Sequence, residues 1–145
     1  MSVLRRYLVV ANQTLGGEHL AEKVRACVAA GPARFHILVP ATQPGEHAVW
    51  TEGEAQAIAQ RRLGQALERF RGLGANAEGE VGDERPLQAI ADAVREGGFD
   101  EIILSTLPPG LSRWLRQDLP HRVERSFDLP VSHVVGEAEE SRSSG

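Results

Sequence analysis

Pro86-Leu-Gln-Ala-Ile-Ala-Asp-Ala-Val-Arg-Glu-Gly-Gly-Phe-Asp-Glu-Ile-Ile-Leu-Ser105 places a helix and a strand back to back. Leu87, Ile90, Ala91 and Val94 recur at helical spacing and predict one inward face. Asp83 is suited to cap that helix, Pro86 falls in its first turn, and Gly97-Gly98 closes it. Glu101-Ile-Ile-Leu-Ser105 follows at once as a short apolar run, which predicts a buried central strand. A helix feeding such a strand belongs to a parallel sheet with right-handed crossovers.

The same alternation extends in both directions. Upstream, Tyr7-Leu-Val-Val-Ala11 and Phe35-His-Ile-Leu-Val39 read as buried strands. Between them Leu20, Val24, Cys27 and Val28 share a helical face, and Gly31-Pro32 ends that helix. After the irregular 40–51 loop, Ala55, Ala59, Leu63, Ala66, Phe70 and Leu73 form a stripe that stops at Gly72 and Gly74. Ala75 to Val81 is a weaker, alternating strand, expected at a sheet edge. Downstream, 106–120 reads as irregular around Pro108-Pro109-Gly110. A last helix, roughly Asp118 to Phe127, turns Val123 inward and precedes a final strand, Pro130 to Val135. The order β-α-β-α-β-α-β-α-β predicts one doubly wound α/β domain over residues 1–136, with an acidic, serine-rich tail at 137–145.

Bulk properties narrow the function classes. The chain has 145 residues, enough for one domain with a core, and its 41% hydrophobic and 25% charged content is that of a globular protein. A formal net charge of −4 gives no general attraction to nucleic acid or an anionic membrane. Cys27 is the single cysteine, so no internal disulfide forms and no cysteine pair has zinc spacing. Nothing approaches the roughly 18 apolar residues of a membrane span or the form of a signal peptide, so a cytoplasmic location is expected.

Ligands of doubly wound sheets sit at the carboxyl ends of the strands, near the reversal of strand order. This singles out Asn12, Thr14, Pro40, Thr42, Ser105, Thr106 and Ser112 as a candidate pocket. For Ser105, Thr106 and Ser112 the plainer expectation is bonding to backbone at the strand end and turn, with a ligand anion or ribose as the alternative. Arg113, Arg116, Arg122 and Arg125 lie near Asp118, Glu124 and Asp128 and are expected to form a solvated ion-pair surface, with a phosphate site as the alternative. Trp114 is expected to clamp the loop by packing, with base stacking as the alternative, and Trp50 lies in the 40–51 loop. The five histidines are dispersed without metal-ligand spacing, and Cys27 is expected in the core. No nucleophile elbow, Walker loop or dinucleotide fingerprint is present, so no catalytic residue and no metal set is named. A phospho-receiver would need an acidic pair where Asn12-Gln13 stands.

Four stretches together resemble the universal stress protein family: Leu8-Val-Val-Ala-Asn12-Gln-Thr14, Val81-Gly-Asp83-Glu-Arg-Pro86, Gly98-Phe-Asp-Glu-Ile-Ile-Leu-Ser105 and Leu129-Pro-Val-Ser-His-Val-Val135. The resemblance spans about residues 5 to 135. It implies a five-stranded 3-2-1-4-5 sheet of the adenine nucleotide alpha hydrolase-like type, and commonly a homodimer. The ATP-binding members carry Gly-x-x-Gly, nine residues, then Gly-Ser or Gly-Thr after the fourth strand. Counted without gaps, those positions are Leu104, Leu107, Gln117 and Asp118, and the family's first-strand Asp is Asn12. Leucine side chains at the glycine positions would fill the space that phosphates need, and Asp118 as a helix cap would oppose their charge.

The resemblance and these departures imply a universal stress protein-like module of stress adaptation. It is expected to be a homodimer acting through protein partners, with no cofactor and weak or absent ATP binding. The dimer strand is expected to be Val131–Val135, with His133 and Val134, because an apolar edge needs cover. The alternative is a small-ligand sensor, for a nucleotide or another metabolite, using the candidate pocket. An enzyme is the reading with least support.

Overall fold

The computed structural model describes residues 3–41 and 52–136. Among the described residues ten elements follow in order: β1 (Arg5–Val10), α1 (Glu18–Ala30), β2 (Ala33–Pro40), α2 (Glu52–Gly72), β3 (Asn76–Gly82), α3 (Pro86–Glu96), β4 (Glu101–Thr106), α4 (Arg113–Arg116), α5 (Leu119–Ser126) and β5 (Val131–Val135). The strands form one sheet in the order β3-β2-β1-β4-β5, and every pairing is parallel. The expected topology and both expected edges, β3 and β5, are therefore observed.

Period-two alternation divides the strand residues between two cores. Tyr7 and Val9 of β1, Phe35, Ile37 and Val39 of β2 and Ile103 of β4 pack under α1 and α2, against Leu20, Val24, Leu63 and Phe70. Leu8, Val10, Leu38, Ile102 and Leu104 face the other way, under α3 and α5, against Ile90, Leu119 and Val123. Cys27 is buried in the first core, and Trp114 in the second. The α2 stripe from Ala55 to Phe70 is buried as its spacing requires. Gly74 takes a left-handed φ of 88° as the chain leaves that helix.

Four local expectations need correction. The 106–120 stretch is not wholly irregular, because α4 forms one turn there, capped by Ser112, whose hydroxyl accepts from the Leu115 N–H at 3.1 Å. Asp83 is not the N-cap of α3. That position is Arg85, and the Asp83 carboxylate accepts the Arg85 backbone N–H at 2.8 Å two residues earlier. The inner face of α3 is centred on Ala89, Ile90 and Ala93, with Leu87 and Val94 partly buried beside it, so small residues make the closest approach to the sheet. Asp118 precedes α5 as expected but makes no capping bond. Its φ of 56° and ψ of 38° are left-handed, and its carboxylate pairs with His121 Nδ1 at 2.8 Å instead.

Candidate functional site

The strand order reverses between β1 and β4, whose carboxyl ends lie side by side. Asn12 follows β1 and is buried. Its Nδ2 donates to the Pro40 carbonyl at 2.8 Å, and its Oδ1 accepts from Arg62 Nη1 of α2 at 2.6 Å. One side chain thus ties the ends of β1 and β2 to the helix above them. The Asn12 carbonyl also opens a turn, accepting from the Leu15 N–H, and the Thr14 carbonyl accepts from the Gly17 N–H.

That turn drops Thr14 onto the end of β4. The Thr14 and Ser105 hydroxyls lie 2.6 Å apart, and both residues are buried. The next residue, Thr106, pairs its Oγ1 with His133 Nε2 of β5 at 2.8 Å, and its carbonyl accepts from the Gly136 N–H. Gly136 is buried beside Thr14, where an added Cβ would make ordinary contact with the Thr14 Cβ at 3.5 Å. Burial pushes the His133 imidazole below its usual range, against the opposing pull of Glu124. On the far side, His19 Nδ1 reaches the Val135 carbonyl at 2.9 Å.

The candidate residues are therefore brought together, but as a closed network. Ser105 and Thr106 bond side chains rather than backbone, contrary to the expectation for strand-end hydroxyls, whereas Ser112 does bond backbone. Among the described residues, Asn12, Thr14, Ser105 and Thr106 spend their side-chain polar atoms on each other and on nearby groups. Thr42, Trp50 and the 137–145 tail lie outside the described residues. Leu104 is not at a strand end: it is paired in register with Val10 and His133, and its side chain is fully buried in the core under α3 and α5. It cannot occupy space above the sheet. Leu107 does leave the strand and is half-buried, and Gln117 is exposed.

A cavity of about 590 Å3 opens at the carboxyl ends of β2 and β3, and none of the described candidate pocket residues lines it. Ala41, Gly82, Glu80, Asp83, Arg85 and Asp92 are among the residues that line it. Hydrogen bonds from Arg85 hold the Asp83 carboxyl below the usual carboxylate range.

Sequence reasoning missed His36, which stands between two carboxylates on the neighbouring strand, with Nε2 2.7 Å from Glu80 and Nδ1 3.4 Å from Glu78. The alternating Glu78-x-Glu80 on an edge strand was the available signal, but the cross-strand register was needed to use it. Among the described residues, no group of three His, Cys, Asp or Glu side chains is placed to share a metal ion, and no helix is long and apolar enough to cross a membrane.

No family model matches the chain, and no curated protein matches it. Solved structures do. The universal stress protein from Archaeoglobus fulgidus in complex with dAMP superposes with a TM-score of 0.61 at 16% identity, covering 92% of this chain and 99% of the other. A universal stress protein in complex with cAMP gives 0.62 at 20% identity, covering 92% and 98%. A protein from the universal stress protein family from Burkholderia pseudomallei gives 0.62 at 17%, covering 88% and 93%. At these identities the likeness is one of fold, which is that of universal stress proteins.

Proposed function

We propose, from the fold that this chain shares with universal stress proteins, that it is a cytoplasmic regulatory module of stress adaptation that does not depend on ATP. It works as a homodimer through protein partners, paired along β5. The observation that carries the ATP-independent reading is the closed network at the strand ends, Asn12 to Pro40 and Arg62, Thr14 to Ser105 and Thr106 to His133, which leaves those polar atoms committed within the protein. The glycine-loop chemistry is also missing. Leu104 and Ser105 both lie buried within β4, and a register one residue later than the gap-free count, Ser105, Pro108, Asp118 and Leu119, brings Asp118 to a glycine position. The left-handed φ of Asp118 suits a position where the resemblance to the ATP-binding members implies glycine. In that register Pro108 has no N–H to offer a phosphate, Leu119 has no hydroxyl and is buried, and Asp118 adds a like charge.

A second reading keeps a small-ligand sensor, because two of the similar structures hold adenine nucleotides and a cavity of about 590 Å3 opens at the ends of β2 and β3. Native mass spectrometry of freshly purified protein separates the two. The regulatory module appears as a ligand-free dimer. A retained nucleotide would favour the sensor, and a monomer would refute the dimer.

A further inference from the structure

A second cavity, of about 700 Å3, opens between the start of α3 and the α4–α5 turn. Three arginines line it from three separate elements: Arg85 at the N-cap of α3, Arg113 in α4 and Arg122 in α5. Trp114 and Leu119, both buried, give it an apolar wall, and Gln117 adds an amide. Glu84 is the one carboxylate among the lining residues.

Two side chains of the expected ion-pair surface are placed otherwise than their sequence neighbours suggest. Asp118 is turned to His121, and Arg122 makes no side-chain hydrogen bond or ion pair among the described residues. Arg85 is aimed by Asp83, whose carboxylate takes its Nε at 3.0 Å and its Nη2 at 3.1 Å. A protein of net charge −4 thus gathers guanidinium groups in one recess. Such a recess concentrates anions, and the planar guanidinium fork matches the oxygens of phosphate and carboxylate. The volume lies within the roughly 300–1,000 Å3 of small-molecule sites.

We propose that this cavity binds a small polyanion with two or more phosphate or carboxylate groups, held by Arg113 and Arg122 with Arg85 as the oriented third cation. The site is separate from the strand-end network and does not depend on the functional reading above. Trp114 reports on it. In a Trp50→Phe background of the full chain, pyrophosphate should change Trp114 fluorescence saturably, with a dissociation constant below about 100 µM, and calorimetry should give the same constant. Arg113→Gln with Arg122→Gln should weaken binding at least tenfold, an order of magnitude being about what one charge-assisted contact supplies. Arg125→Gln, on α5 but outside the lining, should leave it unchanged. If the double variant does not fold, Arg122→Gln alone carries the test, since that exposed side chain has no described partner to lose. Citrate in place of pyrophosphate decides the anion: equal binding assigns oxyanions in general, and weaker binding assigns phosphate. Absence of binding by both methods, or equal binding by the arginine variants and the parent, would overturn the proposal.

Discussion

The hydroxyls of Thr14 and Ser105 meet at 2.6 Å across the boundary between β1 and β4, at the point where a doubly wound sheet ordinarily opens to a ligand. Both residues are buried, so each hydroxyl depends on the other. Ser105→Ala should cost about 1–3 kcal/mol, because it leaves the Thr14 hydroxyl buried without its partner. Thr14→Val with Ser105→Ala should cost clearly less than the sum of the single changes. Urea unfolding of the four proteins measures the cycle, and strict additivity would mean that the pair is not coupled.

The Thr106–His133 contact ties β4 to β5 and carries a pH dependence. Burial lowers the His133 pKa in the folded protein below its unfolded value of 6.5. The unfolded chain then binds the extra proton more readily, so the contribution is fully present above the unfolded value and is lost as pH falls through the lowered folded one. Unfolding midpoints between pH 8 and 5 should fall more steeply for the parent than for His133→Gln, which cannot titrate. Parallel pH profiles would refute the assignment.

Leu104 and Leu107 are three residues apart and differ in kind. Leu104 is fully buried under α3 and α5, whereas Leu107 lies beyond the end of β4 and is only half-buried. Leu104→Ala should cost about 2–5 kcal/mol and Leu107→Ala under about 1 kcal/mol. Similar costs in a denaturation series would place Leu104 at the loop after all, and with it the loop register first expected from the gap-free count.

The fold was legible because the strand cores are mostly apolar runs and the long helices α1, α2 and α3 carry apolar stripes, whereas the four-residue α4 carries none and was not seen. Phe35, Ile37 and Val39 could hardly be read otherwise, and Gly74 marked the end of α2 by the conformation it alone tolerates. The candidate site was legible in membership and not in state. Asn12, Thr14, Ser105 and Thr106 do converge, but whether converging hydroxyls face a ligand or each other depends on backbone paths of a few ångströms, and periodicity does not encode those. Asp118 shows the same limit. Its position before a helix with a proline in the first turn suggested a cap, yet its left-handed backbone turns the carboxylate to His121. The arginine recess was legible only as a cluster, because Arg85 joins it from a residue nearly thirty positions before Arg113.

The proposed independence from ATP predicts that the strand ends do not hold a nucleoside triphosphate. Calorimetric titration of the full chain with Mg-ATP tests it most directly. The closed network and the absence of glycine at 104, 105, 107 and 108 give an expected dissociation constant weaker than about 1 mM, equivalent to only ~4 kcal/mol. A low-micromolar constant that persists in Arg113→Gln with Arg122→Gln, and so does not arise in the arginine recess, would contradict it.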